Sequence, residues 1–211
     1  MAVAYTLYGS FLSAPTYKVG LMLALCGLPF DYRHVDLAKG QHKTPDFLAL
    51  NRFGQVPALV HDGLKMCQSA AILTYLAEQT GKFGGATSEE HQRIREWLMW
   101  ETDRLESSLS RTRFFERFAK PDPAVLEYIR KYAEMVLGQF NALLEGKRFL
   151  VGERPTIADI AVFAAVVHMA EAKFEPSDYP NVKSWWDRIV ALPGFKPPYD
   201  LLPKGDQDAV R

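Results

Sequence analysis

A hydroxyl placed at the start of a helix can stabilise a negative charge, and one segment of this chain has that form. In Gly9-Ser10-Phe11-Leu12-Ser13-Ala14-Pro15-Thr16-Tyr17-Lys18-Val19, residues 4–8 read as an extended apolar run and the residues up to about Cys26 as an amphipathic helix. Ser13 therefore falls just before or inside the first helical turn. Backbone N–H groups without intrahelical partners and the positive end of the helix dipole favour an anion there. No Cys-x-x-Cys pair lies at this position, so any sulfur chemistry needs a sulfur that arrives with a ligand. Ser10, three residues earlier, and Tyr8, at the strand end, are rival hydroxyl donors. Cys26 follows Met22 and Leu23 by one turn and reads as core. Cys67 ends a short strand and reads as buried.

The elements that must hold this segment alternate over the first eighty residues. Val19, Met22, Leu23 and Cys26 keep helical spacing, and Gly27-Leu28-Pro29 stops the helix. Residues 30–36 read as a second strand, followed by a polar connection and a short helix near residues 44–50. Residues 58–61 and 65–67 are two short strands around Asp62-Gly63, a hairpin signal. A helix over 69–79 turns Ile72, Leu73 and Leu76 inward. The order is βαβ, a helical excursion, then ββα.

Residues 81–87, with Gly84-Gly85, form the linker, and no strand is expected beyond it. Ile94, Trp97, Leu98, Glu101, Leu105 and Leu109 trace one face of a long helix. Val125, Ile129, Tyr132, Val136, Phe140 and Leu143 trace another at heptad-like spacing. Val182, Trp185, Trp186 and Ile189 trace a third. Residues 160–167 are apolar nearly all round, as in the middle of a bundle, and Thr156-Ile157-Ala158-Asp159 has the form of a capping box. The expected organisation is an α/β domain over residues 1–80 and an all-helical domain over residues 88–211.

Composition narrows the function classes. The 211 residues are 48% hydrophobic and 24% charged, with 25 basic residues against 25 acidic ones. That balance argues for a globular fold and against a general nucleic-acid or polyanion binder. No stretch approaches the length of a membrane span, and no leader segment is legible. Two cysteines suit a reducing cytosol rather than a disulfide framework. The five histidines are scattered and no metal-ligand motif appears, so no metal or separate cofactor is expected.

Several stretches together resemble the cytosolic glutathione S-transferase family, from about Ala4 to Phe195. Leu12-Ser13-Ala14-Pro15-Thr16-Tyr17-Lys18-Val19 is similar to the segment that holds the serine of the theta-like and bacterial serine-type classes. Gln41-His42-Lys43, Pro45-Asp46-Phe47-Leu48 and Asn51-Arg52-Phe53-Gly54-Gln55-Val56-Pro57-Ala58-Leu59 resemble the family's glutathione-backbone loop. Gln68-Ser69-Ala70-Ala71-Ile72 resembles its second recognition turn. Phe149-Leu150-Val151-Gly152 with Thr156-Ile157-Ala158-Asp159 resembles its folding signature. Tyr179-Pro180-Asn181-Val182, Trp185 and Pro193-Gly194-Phe195 resemble its C-terminal pattern.

The resemblance implies a thioredoxin-like domain followed by a helical bundle, and a homodimeric cytoplasmic detoxification enzyme that uses glutathione as substrate. A free thiol has a pKa of about 8.5, and lowering it by about 2 units favours the thiolate by roughly 2.7 kcal/mol. A charge-assisted hydrogen bond of about 1.5–3 kcal/mol and a helix dipole of about 0.3–1 kcal/mol could supply that. Ser13 is the implied donor, although the family's tyrosine-type classes keep theirs near Tyr8. The Val56 backbone, before a proline (Pro57) that is cis in the family, would pair with the cysteinyl unit. Gln68 and Ser69 would hold the γ-glutamyl carboxylate, with Ser69 also suited to an ordinary N-cap. His42, Lys43 and Gln55 would meet the glycyl carboxylate. Asp103 is implied to reach the γ-glutamyl ammonium across a dimer, or to pair with its neighbour Arg104; Glu106 stands where the compared relatives often carry a basic residue. Phe11, Leu12, Arg111, Phe114 and Phe115, with Arg113 and Arg117 nearby, would receive the electrophile, although the three arginines also suit a solvated helix end. Two rivals stay open: a glutathione-dependent disulfide or peroxide reductase on the same fold, and a binding module without catalysis.

Overall fold

The computed structural model describes residues 4–210, which form two compact units. The first combines the chain up to Lys82 with the segment from Leu192 onward, and the second runs from Phe83 to Ala191.

The first unit contains β1 (Tyr5–Gly9), α1 (Ala14–Cys26), β2 (Phe30–His34), α2 (Pro45–Leu48), β3 (Ala58–His61), β4 (Leu64–Cys67) and α3 (Ser69–Thr80). With a fifth strand, β5 (Gln207–Val210), its sheet has the order β4-β3-β1-β2-β5. β1 runs parallel to β2, with Tyr5 opposite Phe30, and antiparallel to β3, with Tyr8 opposite Ala58. The expected hairpin forms at Asp62-Gly63, where both residues take positive φ, as a primed turn requires. Ile72, Leu73 and Leu76 of α3 are fully buried, as expected. Gly27 ends α1 in the left-handed region, its amide bonded to the Ala24 carbonyl.

The fifth strand corrects the expectation that none follows the linker. β5 (Gln207–Val210) lies antiparallel on β2, with Phe30 opposite Val210. Its sequence gives little warning, because only Val210 is buried. The strand is defined by the free edge it covers rather than by its own pattern. The residues leading to it pack on α1: Leu201 and Leu202 are buried, and Leu202 comes within 3.3 Å of where a Cβ on Gly20 would stand. The Tyr17 hydroxyl donates to the Lys196 carbonyl at 2.8 Å.

The second unit opens with one long rod. α4 (Ser88–Trp100) continues through π-helical turns (Glu101–Ser110) into α5 (Arg111–Arg117). Ile94, Leu98, Glu101, Leu105 and Leu109 face inward as their spacing predicts. The hydroxyls of Thr102, Ser107, Ser108 and Thr112 donate to carbonyls four residues back, a contact that bends and widens helices. α6 (Pro123–Leu143) departs from its expected face. Val125 and Leu143 are 47% and 44% exposed, while Ala133, Leu137 and Leu144 are buried. Val125 and Leu143 stand about five whole turns apart at about 3.6 residues per turn and so share one side, while the buried side is centred further round the helix, on Ala133, Leu137 and Phe140.

α7 (Ile157–Val166) is buried along its whole length. The capping box is present: Ala158 donates to the Thr156 hydroxyl, and the Thr156 amide donates to Asp159 at 2.8 Å. Asp159 also accepts from the Leu150 amide and the Trp185 indole, each at 2.9 Å. Burial pushes its carboxyl above the usual range, and these donors pull against that. α8 (Pro180–Val190) buries Val182, Trp185 and Ile189. α9 (Pro198–Leu201) belongs to the first unit.

Candidate functional site

The turn between β1 and α1 is closed by the Ser13 amide, which donates to the Ser10 carbonyl at 3.0 Å. Phe11 and Leu12 are its central residues. Ser13 caps α1, its hydroxyl oxygen accepting from the Thr16 amide at 3.2 Å. Among the described residues nothing accepts the Ser13 hydroxyl proton, so this half-buried group keeps a donor to offer. Ser10 is 3% exposed and its oxygen is engaged by the Leu12 amide at 3.4 Å. Tyr8 packs beside Val35, Phe47 and Ala58. Of the two serines weighed from the sequence, Ser13 is the more exposed, and Tyr8 is half-buried like it.

The turn also uses up amides that the sequence reading counted as free. Those of Ser13 and Thr16 are spent on Ser10 and Ser13, and Pro15 has none. Two supports were not singled out from the sequence. The buried Thr16 hydroxyl accepts the Ser10 amide at 3.4 Å. The Tyr32 hydroxyl donates to the Gly9 carbonyl at 3.0 Å, and burial pushes its pKa far above the ordinary tyrosine range. Gly9 itself leaves no room for a side chain: a Cβ there would stand 2.1 Å from the Thr16 Cγ2 atom.

Three loops of the same unit meet one another. His42 and Lys43 lie on one 3₁₀ turn (Gln41–Lys43). The Lys43 ammonium donates to the Gly54 carbonyl at 2.8 Å. Gly54 has φ 59°, and a Cβ would stand 3.0 Å from the His42 carbonyl, so glycine permits the two loops to touch. His42 Nδ1 is buried without a hydrogen-bond partner among the described residues. Asn51, 1% exposed, organises the next segment. Its amide nitrogen donates to the Gln55 carbonyl at 2.5 Å and the Pro57 carbonyl at 3.2 Å, and its oxygen accepts from the Phe53 amide at 3.0 Å. That role was not drawn from the sequence; a lone asparagine ahead of a proline-bearing loop was its only signal. The Val56–Pro57 bond is cis.

Gln68 reaches the same place, its amide nitrogen 3.4 Å from the Gln55 side-chain oxygen. It takes φ 68°, a region that non-glycine residues seldom visit and that marks functional sites. Gln68 also corrects the capping expectation for Ser69. Gln68 holds the cap position without a side-chain bond, and Ser69 is the first residue of α3. α1, α2, α4 and α7 all carry side-chain caps. The start of α3 is left open, with Ser69 half-buried beside it, and open helix starts accept anions.

The remaining predicted residues lie in the second unit. The exposed Asp103 carboxylate pairs with Arg104 at 2.9 Å, and Arg104 also donates to the Tyr132 hydroxyl at 2.9 Å. The Arg111 guanidinium lies over the Phe114 ring at 5.9 Å, and Phe114 contacts Phe115 and Phe118. Arg113 and Arg117 both pair with Glu171, Arg113 at 2.6 Å; Arg113 is buried and Arg117 exposed. His168 Nδ1 lies 3.5 Å from the same carboxylate, and burial holds its imidazole below the ordinary range. Among the described residues no cluster of three or more His, Cys, Asp or Glu could hold a metal ion. No helix there is long and apolar enough to cross a membrane.

Comparison with known proteins places these features. Residues 3–78 match the family model "Glutathione S-transferase, N-terminal domain" and residues 104–193 match "Glutathione S-transferase, C-terminal domain". The chain is 32% identical over 210 residues to "Glutathione S-transferase 3" of Zea mays, covering 93% of this chain and 94% of that one. It is also 32% identical over 191 residues to "Disulfide-bond oxidoreductase YfcG" of Escherichia coli (strain K12), covering 85% and 89%. A solved glutathione S-transferase from Pseudomonas fluorescens superposes with a TM-score of 0.87 at 32% identity, covering 93% of this chain and all of that one.

Proposed function

This chain belongs to the glutathione S-transferase family, and we propose that Ser13 gives its enzyme activity the nucleophile, by donating a hydrogen bond to the sulfur of glutathione bound in the first unit. The unclaimed Ser13 proton at the start of α1 carries this reading. The thiol proton leaves to solvent, and the sulfur then forms a bond to the electrophilic carbon while the leaving group departs with its electron pair.

The rest of the tripeptide meets the groups already described. Val56, before the cis bond, offers its backbone to the cysteinyl unit. Gln68, Ser69 and the open start of α3 take the γ-glutamyl carboxylate. His42, Lys43 and Gln55 take the glycyl end, and Asp103 and the Phe11, Leu12, Arg111, Phe114 and Phe115 set retain the roles the family resemblance implies. The enzyme acts as a cytoplasmic homodimer in electrophile detoxification; free cysteines at positions 26 and 67 suit that compartment.

Replacing Ser13 by Ala tests the reading. Losing a charge-assisted bond of about 1.5–3 kcal/mol raises the thiol pKa of bound glutathione by about 1–2 units. Ultraviolet titration of the thiolate measures the pKa, and kcat/KM toward chlorodinitrobenzene should fall about 10–100-fold at neutral pH. A pKa and turnover within about twofold of the parent would overturn it.

Glutathione-dependent disulfide reduction is a second reading, favoured by the 32% identity to the oxidoreductase. One glutathione thiolate attacks a disulfide sulfur and expels a thiolate, and a second glutathione resolves the mixed disulfide, leaving glutathione disulfide and two thiols. No protein thiol is needed, and burial pushes the Cys26 thiol upward, away from reactivity. Disulfide turnover measured beside conjugation separates the readings.

A further inference from the structure

The tail of the chain comes beside Phe11, a central residue of the Ser13 turn. Upstream, Leu201 and Leu202 are buried on α1. Downstream, Asp206 accepts the His34 amide at 2.8 Å, Asp208 pairs with Arg33 at 2.7 Å, and the Ala209 amide donates to Asp31 at 3.0 Å. Pro203-Lys204-Gly205 is the short bridge between these anchors. Its one long side chain puts the Lys204 ammonium 6.0 Å from the Phe11 ring centre. Phe11 is also flanked by His34 at 5.6 Å and Tyr199 at 6.5 Å.

The charge on Lys204 is not compensated locally. Asp31, Asp206 and Asp208 are engaged elsewhere, and among the described residues no carboxylate lies within ion-pairing distance of Lys204. The result is an exposed cation beside the Phe11 ring, which stands two residues before the hydroxyl assigned to the thiolate. Electrophile and sulfur must meet there, so a group bound at Phe11 stands next to the reacting atoms.

We propose that Lys204 is a specificity-determining residue for the electrophile: it receives an acidic substituent of an aromatic co-substrate whose ring lies along Phe11. This inference rests on Ser13 marking the thiolate position. It names the substrate class as aromatic electrophiles bearing a carboxylate or sulfonate.

The test compares a matched pair of electrophiles, para-chloro-meta-nitrobenzoate and neutral chlorodinitrobenzene, at saturating glutathione. Lys204→Met should raise KM for the benzoate about three- to fivefold, the range of an exposed ion pair, and leave KM for the neutral compound unchanged. Lys204→Arg should retain the parent's preference, and added salt should erode it. Equal effects on both compounds, or none on either, overturn the proposal. Absence of turnover by the parent on both would sink the Ser13 reading instead. The subsite is then judged by calorimetry of meta-nitrobenzoate with the S-methylglutathione-loaded protein. Binding weakened about three- to fivefold by Lys204→Met supports it, and unchanged binding overturns it.

Discussion

Asn51 is the residue whose loss should be felt furthest from its own position. Replacing it by Ala removes three hydrogen bonds, to the Gln55 and Pro57 carbonyls and from the Phe53 amide. Each contributes about 0.5–1.5 kcal/mol net, and a stranded buried acceptor costs about 1–3 kcal/mol. Gln55 and Phe53 are exposed and recover water, whereas Pro57 is buried and does not. Two solvated bonds and one stranded acceptor sum to about 2–6 kcal/mol, or about 4–24 °C in the unfolding midpoint of a chain this size. The same change releases the Val56 backbone, so glutathione should bind about tenfold more weakly in calorimetry. Asn51→Asp should be at least as damaging, since a carboxylate cannot donate and would face two carbonyls. An Asn51→Ala protein that melts within about 1 °C of the parent, or melts early yet binds glutathione normally, would refute the reasoning. Lys43 on Gly54 would then be what holds the loop.

Two further outcomes follow from the site's surroundings. Burial, above all, holds His168 below its ordinary pKa, with Arg113 and Arg117 adding and Glu171 opposing. The native protein thus binds this proton less readily than the unfolded chain, so the stabilisation is complete above about pH 6.5 and is lost as pH falls through the lowered native value; urea unfolding at stepped pH should show a shallower acid decline in His168→Gln, and parallel profiles would count against it. Gly9→Ala should force Thr16 away, because its Cβ would stand 2.9 Å from the Thr16 Cβ. Overpacking of this kind costs about 1–3 kcal/mol, and the thiol pKa of bound glutathione should rise with it; an unshifted pKa in a folded variant would show that the turn does not depend on Thr16.

What the sequence made legible was local. Ser13, Thr156 with Asp159, Gly27 and Asp62-Gly63 act through neighbours a few residues away, and each sits where spacing put it. The α3 start was less legible, because a cap is chosen by backbone conformation, and nothing in Gln68-Ser69 foretells a positive φ at a glutamine. Glu171 was invisible beside Arg113 and Arg117 for a different reason: it lies 58 residues from Arg113, and no periodicity links them. The face of α6 went astray because apolar residues cover more of that helix than its buried side, Val125, Tyr128, Met135 and Leu143 being exposed. Asn51 and Thr16 were missed because a single polar residue in a loop or a first helical turn looks the same whether it orders a site or faces water.

The fifth strand also has a bearing on how the protein is made. Ala209 and Asp31 meet although they stand 178 positions apart in the chain, so the sheet stays unfinished until β5 has been made. Until then β2 carries a bare rim of peptide groups that a neighbouring nascent chain could zip onto. Closing so long a loop is also slow. Deleting β5 (Gln207–Val210) would leave that edge bare for good, even if the enzyme's chemistry survived untouched.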